Sequence, residues 1–185
     1  MTKSIYQKER LIFGCGNPRF GGAGFGSEVI QWLETIYVLP KDTECLDVGP
    51  AIREFLFDIL PFKKKPSQII IIDAMNLAHA QPGEIREIEI SDIRPSKHNI
   101  HPLRHFQTIK ILNIIRKYAA IDIRILVTQP IEISSQVNSG QTFSIKSSVS
   151  QMCERIIHIL EKKPTMLSHF KDHGSEKRFD QVVEN

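Results

Sequence analysis

The chain has 185 residues, of which 41% are hydrophobic and 24% are charged, and this balance suits one globular domain with a substantial core. The net charge is only +3, and the basic residues are scattered apart from Lys63-Lys64-Lys65, a pattern that argues against a nucleic-acid-binding protein. The three cysteines are widely spaced, which excludes a disulfide framework or a zinc knuckle, and no apolar stretch approaches the roughly 20 residues of a membrane helix. We therefore expect a cytoplasmic protein with no nucleic-acid or membrane partner.

Hydrophobic periodicity predicts strands and helices that alternate along the chain. Strands are predicted at 11–13, 44–48, 68–73, 85–90 and 121–127, and helices at 28–37, 50–60, 105–118 and 142–162. Residues 69–72 are four consecutive isoleucines, which indicate a buried interior strand, whereas 85–90 has the alternation of an edge strand. This order of elements predicts an α/β domain with a mostly parallel sheet over 1–163, followed by a polar tail at 164–185.

A glycine-rich loop, FGCGNPRFGGAGFG at 13–26, lies between the first strand and the first helix. Gly14 and Gly16 fit the first two positions of a dinucleotide-binding fingerprint, but its third glycine falls on Arg19. The loop also lacks the lysine of a Walker loop, and it continues well past Gly16 instead of entering a helix, where a phosphate would bind. The loop therefore argues against a nucleotide site and needs another explanation.

Several short motifs occur in a fixed order between about residues 10 and 162. They are Gly14-Cys15-Gly16-Asn17, Gly24-Phe25-Gly26, Asp47-Val48-Gly49, Ile72-Asp73-Ala74, Pro82-Gly83-Glu84 and the loop from Gln129 to Glu132. In this order and spacing the chain resembles the hydrogenase maturation endopeptidases, and in particular the branch that serves the deazaflavin-reducing hydrogenases. Each motif is short, so the resemblance depends on all of them being in register.

The resemblance implies a three-layer α/β/α sandwich whose twisted, mostly parallel sheet has about five strands, one of them antiparallel. It implies an endopeptidase that removes the C-terminal extension of a nickel-containing hydrogenase large subunit. In that family the substrate's nickel is recognised by an acidic residue of the glycine loop, an aspartate that ends the third strand and a histidine near the start of the third helix. Asp73 matches the aspartate, and either His101 or His105 matches the histidine.

These correspondences define the candidate site. Asp73, His105 and His101 are the candidate catalytic and nickel-contacting residues, and the expected partner is the hydrogenase large subunit precursor. The candidate loop motif consists of Gly14, Gly16, Asn17, Gly24 and Gly26.

The sequence departs from the family pattern at one functional position. Gly22 and Ala23 stand where the family has its acidic pair. Because a divalent ion is usually held by three or four protein ligands, we expect the free protein to bind nickel only weakly. His79 or Glu84 could supply a replacement ligand. The alternative is a non-catalytic relative that binds the partner as an assembly factor or chaperone.

Overall fold

The computed structural model describes residues 5–16, 24–95, 103, 105–130 and 143–161. The strands are β1 (Arg10–Cys15), β2 (Thr43–Gly49), β3 (Gln68–Ala74), β4 (Ile85–Ile88) and β5 (Asp122–Thr128), and the helices are α1 (Phe25–Ile36), α2 (Ile52–Ile59), α3 (Phe106–Tyr118) and α4 (Phe143–Glu161). The type and order of these elements confirm the predictions, whereas several boundaries shift by one to three residues. The predicted tail at 164–185 lies outside the described residues.

Two local predictions about boundaries were wrong. Pro50 precedes Ala51, the N-cap residue of α2, so it does not occupy the first turn of that helix. The edge strand ends at Ile88, and Ile90 lies instead in a short 3-10 turn, Ile90–Asp92. Reciprocal hydrogen bonds between Glu89 and Asp92 cap this turn, and such caps compete with strand hydrogen bonding.

The sheet has the strand order β2-β1-β3-β5-β4. β1, β2, β3 and β5 pair in parallel, and β4 pairs with β5 in the antiparallel direction. β3 is therefore the central strand, as its isoleucines predict, and β4 is an edge strand. This arrangement confirms the predicted α/β class with one antiparallel strand.

The side chains of β3 alternate between two hydrophobic cores. Ile69 and Ile71 pack with residues of α2 and α3 on one face of the sheet, and Ile70 and Ile72 pack with residues of α1 and α4 on the other. All four are fully buried, and each contributes about 1.5–3 kcal/mol by leaving water. Helices on both faces make the domain a three-layer α/β/α sandwich. Because both faces of the central strand are covered, four consecutive isoleucines can all be buried.

Helix α1 begins in direct contact with the ends of two strands. A β-carbon added at Gly26 would lie 2.8 Å from the Ile72 carbonyl oxygen and still closer to the backbone of Cys15. A β-carbon at Gly14 would lie 2.8 Å from the Gly26 carbonyl carbon. These separations are too short for any side chain, so both glycines are required for backbone packing. Close backbone packing therefore explains Gly14 and Gly26 without a phosphate-binding role for the loop.

Within the described ranges, no helix combines the length and the hydropathy needed to cross a membrane.

Candidate functional site

Asp73 is the penultimate residue of β3 and lies at the carboxyl edge of the sheet. Its side chain is only 1% exposed. One carboxylate oxygen, Oδ1, accepts a hydrogen bond of 2.8 Å from the Ala74 N–H, whereas Oδ2 is buried and has no hydrogen-bond partner among the described residues. Burial raises the pKa of Asp73 to about 7, an effect that the Ala74 N–H partly offsets. The carboxyl group therefore changes charge near neutral pH.

The Asp73 side chain faces the layer that contains α2 and α3. Side chains alternate along a strand, and Ile71, two residues earlier, packs in the core on that face. Val127, which pairs with Asp73 on β5, belongs to the same core. The Cys15 thiol lies in this core too, and its pKa is raised well above the usual value by burial and then by the negative charges of Asp73 and Asp47. A buried thiol and a buried carboxyl group therefore lie near each other on this face.

His105 is the N-cap residue of α3. Only three residues, 119–121, join the end of α3 to the start of the parallel strand β5, so the other end of the helix lies towards the carboxyl edge of the sheet. His105 is half-buried, and its Nδ1 atom is buried without a hydrogen-bond partner among the described residues. Asp73 and His105 thus share one layer and one edge of the sheet, and each has a buried polar atom with no partner.

Side chains from the first turn of α2 lie beside the start of α3. The Arg53 guanidinium donates a hydrogen bond of 2.6 Å to Oε1 of Gln107. Burial disfavours the ionised Glu54 carboxylate, but hydrogen bonding from Arg53, with a smaller contribution from the His105 imidazole, holds the pKa of Glu54 below its usual value. The first turn of α2 therefore supplies charged and polar groups beside His105.

The glycine loop is described only at its two ends. Gly16 has a φ of 114°, a conformation that favours glycine, and its N–H donates to the Gly49 carbonyl at 3.1 Å. Gly24 is the N-cap residue of α1. Asn17, Gly22 and Ala23 lie outside the described residues, and so does the second candidate histidine, His101.

The two residues considered as replacement ligands differ in their environments. His79 is exposed and has a left-handed backbone, with a φ of 57°. Glu84 is held within its own turn, because Oε2 accepts from the Gln81 N–H at 2.9 Å and Oε1 accepts from Arg86 Nε at 2.7 Å. Both carboxylate oxygens of Glu84 therefore stabilise its own turn, so this side chain does not serve as the replacement metal ligand. Within the described part of the chain, no group of three His, Cys, Asp or Glu side chains could hold a metal ion.

Sequence reasoning missed Thr128 at the end of β5. This residue pairs with Ala74 and is only 3% exposed. Its Oγ1 atom is buried without a hydrogen-bond partner among the described residues. Because Ala74 packs in the core formed with α1 and α4, Thr128 faces the layer opposite Asp73. A polar residue at the carboxyl end of a buried parallel strand is the signal that could have identified it.

Comparisons with known proteins agree with this architecture. A family model described as HycI, hydrogenase maturation protease, matches residues 27–160, a range that includes Asp73 and His105. The chain is 29% identical over 157 residues to the coenzyme F420 hydrogenase subunit delta of Methanothermobacter thermautotrophicus, covering 82% of this chain and 94% of that protein.

Two solved structures share the fold. The hydrogenase maturating endopeptidase HybD of Escherichia coli superposes with a TM-score of 0.66 at 20% identity, covering 83% of this chain and 92% of the other. The [NiFe] hydrogenase maturation protease HycI of Thermococcus kodakarensis superposes with a TM-score of 0.63 at 22% identity, covering 86% and 96%. These likenesses extend over nearly the whole of each neighbour, so the chain shares the fold of both structures.

Proposed function

The chain belongs to the hydrogenase maturation protease family, and from that premise we propose that it is an endopeptidase that removes the C-terminal extension of a nickel-containing hydrogenase large subunit. The observation that carries the proposal is Asp73, a fully buried carboxyl group at the carboxyl edge of the sheet whose Oδ2 has no partner among the described residues. A buried polar group without a hydrogen bond costs about 1–3 kcal/mol. Such a group is expected to persist where an incoming ligand satisfies it.

We infer that this ligand is the nickel of the unprocessed substrate. Carboxylate and imidazole groups both bind first-row divalent metals, and His105 offers a second buried atom without a partner, Nδ1. Two such ligands do not complete a metal site, and the described residues offer no third. In this proposal the large subunit supplies the remaining ligands, and the free protein has low affinity for nickel. His101 is retained as the alternative histidine.

Asp73 has properties that suit acid–base chemistry at neutral pH. Its pKa is raised to about 7 by burial, and a general acid or base is most effective when its pKa lies near the working pH. Metal binding requires the ionised carboxylate, so contact with the substrate's nickel would release the proton. We propose that Asp73 and the histidine recognise the nickel-loaded precursor and that Asp73 can take part in proton transfer during cleavage.

The test is cleavage of a purified, nickel-loaded large subunit precursor, followed by intact mass spectrometry of the large subunit. We expect the wild-type protein to remove the extension, and Asp73→Asn and His105→Gln to lower the rate by at least about a hundredfold, as is common when a metal ligand or general acid–base group is lost. Asp122→Asn is the matched control, because Asp122 lies at the opposite edge of the sheet and accepts a hydrogen bond from Gln68.

Three outcomes separate the alternatives. Unchanged cleavage by Asp73→Asn would overturn the role of Asp73. Normal cleavage by His105→Gln together with loss in His101→Gln would assign the histidine to position 101. Binding of the precursor by the wild type without any cleavage would support the alternative, a partner-binding assembly factor or chaperone.

We also infer a cytoplasmic location. Cys15, Cys45 and Cys153 are all free thiols, and all three are buried, as is usual for proteins kept in a reducing compartment.

A further inference from the structure

The segment that follows Asp73 is attached to the end of β5 by one glutamine side chain. Oε1 of Gln129 accepts a hydrogen bond of 2.7 Å from the Leu77 N–H. Its Nε2 donates to the Pro130 carbonyl at 3.0 Å and, more weakly, to Oδ1 of Asn76 at 3.4 Å. The Gln129 amide thus uses both its acceptor and its donors to join residues 76–77 to the adjacent strand end.

Backbone hydrogen bonds continue the same attachment on both sides of Gln129. The Met75 N–H donates to the Thr128 carbonyl at 3.0 Å, the Gly83 N–H donates to the Gln129 carbonyl at 2.7 Å, and the Gln129 N–H donates to the Glu84 carbonyl at 2.9 Å. These bonds fix the beginning and the end of the loop between β3 and β4. Between them, the Gln129 side chain bonds the Leu77 N–H, and the Leu77 side chain packs against the core that contains α2 and α3.

Asp73 needs this support because no other side chain orients it within the described residues. Among the described residues, the one hydrogen bond to its carboxylate comes from the N–H of the next residue, Ala74, so the direction of the carboxylate follows the backbone course directly after Asp73. In metal sites, groups that hold the ligands in place are worth about 10–100-fold in metal affinity. Here the pairing of Ala74 with Thr128 and the bond from the Met75 N–H to the Thr128 carbonyl fix the backbone directly after Asp73. The Gln129 side chain extends that support to residues 76–77.

We propose that Gln129 is a positioning residue for Asp73, which holds the backbone of Asn76 and Leu77 so that the unpartnered carboxylate oxygen faces the substrate's nickel. The inference rests on the proposed function, since it assigns the orientation of the same carboxylate. It adds a residue that touches neither the substrate nor the metal and that acts only through the loop.

A second glutamine provides a matched control. Gln68 begins β3 at the amino edge of the sheet, and its Nε2 donates to Oδ2 of Asp122 on β5 at 2.8 Å. Gln68 and Gln129 therefore both join the β3 region to β5, but at opposite edges. Gln68→Met should lower stability without affecting Asp73, whereas Gln129→Met should affect both.

The first measurement uses the free protein and follows amide hydrogen exchange. We expect Gln129→Met to speed the exchange of the Leu77 N–H by at least about tenfold, since about 1.4 kcal/mol of lost hydrogen bonding corresponds to that factor. The Met75 N–H, which donates to a backbone carbonyl, should stay protected. Gln129→Glu retains the acceptor for Leu77 and should keep that amide protected.

The second measurement compares the affinity for the nickel-loaded and the nickel-free large subunit precursor. A general loss of stability lowers the affinity for both precursors, whereas a misplaced Asp73 lowers the affinity for the nickel-loaded precursor alone. We expect Gln129→Met to lower the ratio of the two affinities by about tenfold, Gln129→Glu to keep most of it, and Gln68→Met to leave it unchanged. If Gln129→Met does not fold, loss of the ratio in Gln129→Glu would overturn the inference.

Failure of the inference differs from failure of the proposed function. If the wild type does not distinguish the two precursors, nickel recognition itself is wrong. If the wild type distinguishes them and Asp73→Ala does not, while Gln129→Met behaves as the wild type, only the role of Gln129 is wrong. Equal exchange of the Leu77 N–H in wild type and Gln129→Met would lead to the same conclusion.

Discussion

The two edges of the parallel sheet are stabilised in different ways. At the amino edge, Arg10 donates to Asp42 at 2.8 Å and to the Leu160 carbonyl at 2.6 Å, and Gln68 donates to Asp122 at 2.8 Å. At the carboxyl edge, the described residues include three buried polar atoms without partners, namely Oδ2 of Asp73, Nδ1 of His105 and Oγ1 of Thr128.

This difference concerns the free-energy cost of burying polar groups at each edge. Each partnered group at the amino edge contributes modestly to folding, whereas each buried group without a partner costs about 1–3 kcal/mol. Within the described residues, three such costs lie at the carboxyl edge and none at the amino edge, the distribution expected if the proposed substrate binds at the carboxyl edge. The carboxyl edge is also where ligands generally bind in open α/β sheets.

The largest expected effect concerns Asp73 and pH. Its pKa is about 7 in the folded protein against an ordinary value of 3.8, so between these values the folded state retains a proton that the unfolded state has lost. The wild-type free energy of unfolding should therefore fall as the pH rises from about 4 to about 7. Because Asp73→Asn cannot ionise, it should gain stability relative to the wild type over that range, by on the order of 4 kcal/mol.

Urea unfolding of both proteins at pH 4.5 and pH 8 measures this gain. Taking the difference between the two proteins at each pH removes the contributions of the other titrating groups. A difference that does not change between the two pH values would show that Asp73 is not a buried, unpaired carboxyl group.

The next effect tests the amino edge. Arg10→Met removes the hydrogen bonds to Asp42 and to the carbonyl of Leu160 in the last turn of α4, while keeping most of the side-chain volume. We expect the free energy of unfolding to fall by about 1–3 kcal/mol, and the rate of precursor cleavage to stay within about twofold of wild type under conditions where the variant is folded. A large loss of cleavage at full folding would mean that the two edges are not functionally separate.

The smallest effect compares two threonines at opposite edges. Thr128 has a buried hydroxyl without a partner among the described residues, whereas the Thr43 hydroxyl donates to Oδ1 of Asp42 at 3.5 Å. Thr128→Val should leave the free energy of unfolding unchanged or raise it by up to about 1 kcal/mol, because a methyl group of nearly the same shape replaces the unsatisfied hydroxyl. Thr43→Val removes a hydroxyl that has a partner and should lower the free energy of unfolding by about 0.5–1 kcal/mol. Thermal unfolding under identical conditions compares the two, and the opposite order would contradict the assignment of Thr128 as unsatisfied.

Much of the fold could be predicted from the sequence. Consecutive isoleucines at 69–72 predict the central strand because only a strand covered on both faces buries every side chain. The 3.6-residue periodicity predicts the helices because it reports which face is buried. The ends of strands could be predicted less precisely. The sequence extends β4 to Ile90, but a hydrogen bond from the Glu89 N–H to Asp92 forms a turn there, and the pattern of hydrophobic residues does not report that bond.

The position of one candidate site residue in the fold could be predicted from the sequence. Asp73 could be placed at the carboxyl edge because it ends a buried strand, whereas the sequence left the histidine open between His101 and His105. The Glu84 side chain could not be assigned, because its bonds to Gln81 and Arg86 depend on the geometry of one turn. The support from Gln129 depends on two loops that are about 50 residues apart in the sequence and meet only in the folded sheet.

The sequence by itself determined the alternation of strands and helices, the central position of β3 and the presence of an aspartate at its end, because these follow from the local period of apolar residues. Only the tertiary structure decided that Gly14 and Gly26 serve backbone packing, that Asp73 shares a layer with His105, and that Gln129 holds the segment after Asp73. The physical reason is that contacts between distant segments depend on strand register and on the close approach of backbones, which side-chain periodicity does not encode.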